Sequence, residues 1–149
     1  MANEVKEIKI DKQNAIIVQF TDPQEDMNKL ITELLIWIQK NNLTQSNHLF
    51  ARNYIENNTM TYDFGIPINE TVKGNDKFKF IEIAEHIAVS ATHKGSYIHI
   101  DKTVDKLHKY LEDNDLKLID APRYIYYNGP EQVPEEELIT EIQFPIAKK

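Results

Sequence analysis

Five residues near the start of the chain, KEIKI at 6–10, recur in pattern as KFIEI at 79–83, with Lys6, Ile8 and Ile10 matched by Lys79, Ile81 and Ile83 at a shift of 79 − 6 = 73. The same shift places Leu34 on Leu107, Trp37 on Tyr110, Ile38 on Leu111, Asn41 on Asn114, Leu43 on Leu116 and Tyr54 on Tyr127. Pro67 meets Pro145 at 145 − 67 = 78, so five further residues enter the second copy, near NGPEQVPEEE, a segment rich in loop formers. Self-similarity over this length constrains the fold more than any composition does. A chain of 149 residues then reads as one domain, 1–149, with internal repeats at about 5–68 and 78–146.

Each copy reads as strand, strand, helix, strand, strand. EIKI and AIIVQF carry the β-branched residues of strands, and Asp22, Pro23, Gln24 and Glu25 form an expected helix start with a capping acceptor and a proline in the first turn. Met27, Leu30, Ile31, Leu34, Leu35 and Ile38 follow at helical spacing, and Asn41 and Asn42 end the pattern. HLFARNYI and MTYDFGIPI are the next expected strands. In the second copy FKFIEIA and IAVSATH precede HKGSY, and a helix follows with Ile100, Val104, Leu107 and Leu111 inward. APRYIYY and ELITEIQFPI complete it, and NETVKGNDK connects the copies. The expected class is α+β: duplicated βαββ units with pseudo-two-fold symmetry, an antiparallel sheet with two main helices, and a cleft between the halves.

Charge and composition narrow the functions. A formal charge of −7 without a basic stripe argues against direct nucleic-acid binding. The absence of cysteine removes disulfides, thiolate metal sites and cysteine nucleophiles together. His86, His93 and His99 are scattered over strand, turn and helix start, so no metal is expected. Ser90 and Ser96 lack the GxSxG context of a nucleophile, and glycine is too scarce for a phosphate-cradling loop, so neither catalytic residues nor a cofactor are expected. No apolar run spans a membrane and MANEVKEIK is not a signal peptide, which reads as a cytoplasmic protein.

The duplicated pattern, HKGSY ahead of the second helix, YYNGPEQVP and the closing TEIQFPI together resemble the GyrI-like, or AraC-type effector-binding, domain family. The resemblance implies a small-molecule cleft lined by aromatic side chains, with a buried carboxylate that favours lipophilic cations. The expected ligand-binding residues are Trp37 and Tyr110, singled out by their equivalent helix positions in the two copies, together with Tyr97 of the Gly-x-Tyr turn, Tyr124 and Tyr126 on one strand face, and Glu141. Family members commonly place a glutamate two residues before a tyrosine on that strand; here Tyr124 and Tyr126 take those places. Glu135, Glu136 and Glu137 follow a proline and read as solvated loop.

The implied function is a stand-alone binding domain acting as sensor, sequestering protein or accessory to transcription regulation. Two alternatives follow from the same resemblance. One is a small-molecule hydrolase with Glu141 as acid or base, weakened by the missing second carboxylate. The other is a protein-interaction module of the gyrase-inhibitor type, in which the acidic surface meets a basic protein partner.

Overall fold

In the computed structural model, residues 4–21 and 26–149 are described. The chain divides into two compact units, one of Met1–Asp11 with Glu85–Lys149 and one of Lys12–Ala84. The first holds β1 (Lys6–Ile10), β6 (His86–Lys94), α2 (Ile100–Asp113), β7 (Leu116–Leu118), β8 (Arg123–Tyr126) and β9 (Ile139–Lys148). The second holds β2 (Gln13–Phe20), α1 (Met27–Lys40), β3 (Phe50–Glu56), β4 (Thr59–Ile68) and β5 (Phe78–Ile83). The strand pairs within each unit are antiparallel among the described residues. The order is β1-β6-β9-β8 in the first unit, with β7 on the far end of β9, and β3-β4-β2-β5 in the second. The α+β class expected from the repeats is the class observed.

The units do not coincide with the repeats. The first strand of each repeat pairs in the unit built from the other: Lys6 stands opposite Ser90 on β6, and Lys79 opposite Ile17 on β2. Under the shifts of 73 and 78 these registers are the same pairings, since Ile17 corresponds to Ser90 and Lys79 to Lys6.

In the second unit alternate residues Ile16, Val18 and Phe20 of β2 face α1, where they join Phe64, Ile66, Leu30, Leu34 and Ile38. Met27 and Leu35, expected on that apolar face, are instead close to half exposed, because the buried stripe narrows to Leu30, Leu34 and Ile38. The helix start expected at Asp22–Glu25 lies outside the described residues; Asp26 caps α1 by accepting from the Lys29 amide at 3.1 Å. In the first unit Val89, Ala91, Ile142, Phe144 and Ile146 face Leu107 and Leu111 of α2.

Local backbone chemistry repeats too. Asn42 and Asp115, equivalent under the shift, both adopt left-handed φ of +55° and +53° just past their helices, a stop that short polar side chains tolerate. Asn57 and Asn58, φ +53° and +62°, form the two-residue turn between β3 and β4, where both central residues need positive φ. Among the described residues no helix is long and apolar enough to cross a membrane.

Gly65 sits under a tight steric demand from a core aromatic of the second unit. A Cβ there would lie 2.3 Å from the Phe50 ring, itself 1% exposed, so the aromatic lies flat over bare backbone. Gly65→Ala should cost about 1–3 kcal/mol through overpacking, read by urea denaturation. Combining it with Phe50→Leu should cost less than the sum of the two single changes, because both occupy one space. Additive costs would show that the ring does not confine this position.

Candidate functional site

Strand register divides the expected residues between two faces of one sheet. Tyr124 stands opposite Ile142 and Tyr126 opposite Thr140, on the face that packs against α2, whereas Ile125 stands opposite Glu141 on the other face. On the helix face, Tyr97 meets Tyr126 edge-on with ring centroids 5.9 Å apart and planes at 77°. The turn that presents Tyr97 begins at Gly95, whose φ of +118° suits glycine. Buried His93 then holds the turn: its Nε2 donates to the Ser96 carbonyl at 2.9 Å, while Nδ1 lies 3.0 Å from the Thr103 hydroxyl. Burial raises the phenol pKa values of Tyr97 and Tyr124. Tyr126 is pushed up furthest, by burial first and then by its two tyrosine neighbours. Three neutral phenols thus share this face, where Tyr126 stands opposite Thr140, whose buried hydroxyl has no hydrogen-bond partner among the described residues.

The other two expected aromatics pack locally. Trp37 lies against Phe78 in the second unit, with centroids 5.5 Å apart. Tyr110 of α2 donates its hydroxyl to Glu7 of β1 at 3.0 Å, tying helix to strand. Glu7 can reach it because it pairs with Val89, a residue of the helix face.

On the opposite face Glu141 is half-buried and accepts from three neutral side chains. Ser90 donates to Oε2 at 2.7 Å, Gln143 to the same oxygen at 2.9 Å, and the Tyr127 hydroxyl donates to Oε1. Burial alone would raise the carboxyl. Hydrogen bonds from Tyr127, Gln143 and Ser90, helped by the charge of Lys6, outweigh it and hold the group below the usual carboxylate range. Tyr127 moves the other way, raised by burial and then by its bond to Glu141. The arrangement is a fixed anion in a partly dry setting.

Tyr127, Ser90 and Gln143 were not among the residues expected from sequence. The tyrosine beside Glu141 is Tyr127 rather than Tyr126, and two residues back along the same face stands Ile125 rather than Tyr124. Alternation along one strand shows which tyrosines share a face, but only the pairing between strands shows which face Glu141 occupies. Glu135, Glu136 and Glu137 form an exposed single 3-10 turn, and none of their side chains is among the donors and acceptors of this hydrogen-bonded group.

A separate hollow of about 490 Å³ lies in the second unit, walled by Gln19, Glu56, Asp76, Lys77 and Lys79 with apolar Val18, Phe20 and Leu30. It contains none of the expected residues. Its charges are of both signs, Lys77 is ion-paired with Glu33 and Lys79 donates to the Gln19 amide, so it presents no single field to a ligand.

The family model for the GyrI-like small molecule binding domain matches residues 48–147. The chain belongs to this GyrI-like family. No curated protein matches it by sequence. Among solved structures, the GyrI-like chain is similar to the EcmrR C-terminal domain, at 27% identity and a TM-score of 0.86 over 98% of both chains. In the EcmrR–DNA complex the matching part is 58% of that longer chain. A hydrolase from Listeria innocua shares the fold at 14% identity and a TM-score of 0.76, covering 97% of this chain and 92% of that one. SAV2435 bound to tetraphenylphosphonium shares it at 12% and 0.64, covering 97% and 94%. The GyrI-like domain is therefore a small-molecule binding domain of α+β fold.

Removing the Tyr127 hydroxyl tests the electrostatics. Tyr127→Phe should raise the Glu141 carboxyl pKa, followed by carboxyl carbon NMR. Because the folded carboxyl titrates below its unfolded value, its stabilisation is full above the unfolded value and is lost as pH falls through the folded one. Tyr127→Phe should accordingly narrow that acid-side loss. An unchanged Glu141 titration would remove Tyr127 from the account.

Proposed function

We propose that the GyrI-like domain captures a lipophilic cation or a strong hydrogen-bond donor on the Glu141 face of its first unit, and acts in the cytoplasm as a sensor or sequestering module serving transcription regulation. One observation carries this reading: a half-buried carboxylate held ionised chiefly by hydrogen bonds from three neutral donors, with Lys6 helping through its charge and no ion pair in contact among the described residues. Neutral donors keep the charge fixed and oriented without cancelling it, and an anion in a partly dry setting attracts a cation more strongly than one in open water. The membership in a small-molecule binding family and the likeness to the C-terminal domain of EcmrR support the same reading.

Acid catalysis by Glu141 fits less well. A general acid working near neutral pH needs its pKa raised toward that pH, and Glu141 is moved the opposite way. As a base it would be weakened for the same reason. Its chemistry is that of a counter-ion.

Tetraphenylphosphonium and the neutral triphenylphosphine oxide form a suitable pair of probes for calorimetric titration. Glu141→Gln should weaken the cation at least about tenfold, equivalent to ~1.4 kcal/mol, and change the neutral compound by less than about twofold on the same scale. Cation affinity that survives Glu141→Gln in a folded protein would detach ligand binding from this carboxylate.

A further inference from the structure

The Tyr127–Glu141 pair has a counterpart in the second unit. Asp63 on β4 corresponds to Glu141 (141 − 63 = 78), and Tyr54 on β3 corresponds to Tyr127 (127 − 54 = 73). The registers agree: Asp63 stands opposite Gln19 and Arg52, as Glu141 stands opposite Thr92 and Ile125. The Tyr54 hydroxyl donates to Asp63, 3.2 Å from Oδ1 and 3.3 Å from Oδ2, as Tyr127 donates to Glu141.

The remaining neighbours differ in a complementary way. Where the first unit places the donors Ser90 and Gln143, the second has Ile17 and Gly65, neither of which can donate from a side chain. Where the first unit has Ile125, the second has Arg52, whose guanidinium lies 2.6 Å from Asp63 Oδ2. Asp63 is fully buried and the Arg52 side chain only 15% exposed. The Arg52 guanidinium also lies over the Tyr54 ring, 5.9 Å from its centroid, and its Nε is buried without a hydrogen-bond partner among the described residues. A fully buried carboxylate that keeps the Tyr54 hydroxyl but lacks counterparts of Ser90 and Gln143 requires a cation, and this chain supplies its own.

We propose that Tyr54–Asp63 is a second cation-binding site of the same design, closed by Arg52 acting as a built-in ligand, and that truncating Arg52 opens it to a small planar guanidinium-class cation. Arg52 enters from the neighbouring strand with its planar head between a carboxylate and an aromatic face, which defines the shape and charge of the ligand that would replace it. The native second unit is then self-satisfied and takes no external cation there. The contacts that define this pocket all lie in the second unit, so it forms whether or not Glu141 binds a ligand.

The test is thermal unfolding of Arg52→Ala in a Glu141→Gln background, with methylguanidinium chloride as probe and N-methylurea and sodium chloride as controls. Methylguanidinium at tens of millimolar should raise the variant's Tm saturably, by about 3 °C over sodium chloride, the size expected for a ligand at several times its Kd. N-methylurea should not do so, nor should methylguanidinium with Arg52 intact. Adding Asp63→Asn should abolish the rise. A Tm that follows sodium chloride alone, or a rise that persists in Asp63→Asn, overturns the proposal. Should Arg52→Ala not fold unaided, its refolding yield from urea becomes the readout. Recovery with methylguanidinium and not with N-methylurea supports the site, and equal yields overturn it.

Discussion

Both units depend on one pairing scheme, in which the last strand of each repeat runs antiparallel to the second and the first strand of each repeat is given to the other unit. A β-strand presents alternate residues to opposite faces, so a register fixed at one pair fixes every later residue. Val89 and Ala91 reach α2 and Ser90 reaches Glu141 for this single reason. The exchange of β1 and β5 also gives each unit a strand that its own repeat does not supply, which covers an otherwise open side of the inner strand.

On this frame the two carboxylates show two solutions to one electrostatic problem. Burying a charge without partners costs several kcal/mol. The first unit meets the cost with neutral hydrogen bonds, and the charge of Glu141 remains available to a ligand. The second meets it with Arg52, and Asp63 is spent on the fold. Duplication permits the division, because one copy can hold its carboxylate with neutral donors while the other is filled from within. The Phe50 ring leaves no room for a side chain at Gly65, the position equivalent to the donor Gln143, so packing and charge change together.

Much of the architecture was legible before the structure. Helical spacing placed Leu30, Leu34 and Ile38 inward, and the β-branched runs marked the long strands, because both patterns are set by the geometry of single elements. The three-residue β7 was missed, being too short for any periodicity to register. Exposure of Met27 and Leu35 was missed because the width of an apolar stripe depends on the surface it meets. In the candidate site, Glu141 was singled out from sequence, whereas Tyr124 and Tyr126 were grouped with it across a sheet that in fact separates them.

The sequence by itself determined that the chain is two copies of one pattern, that its elements are those of an α+β fold, and that Tyr54 and Tyr127 hold the same place in each copy. All of these follow from local spacing and self-similarity. Only the tertiary structure decided that the first strands are exchanged, that Tyr127 rather than Tyr126 meets Glu141, and that Arg52 neutralises Asp63. Each of those outcomes depends on which strand lies beside which and in what register, and an antiparallel pairing slipped by one residue would satisfy the same local preferences while turning every side chain to the other face.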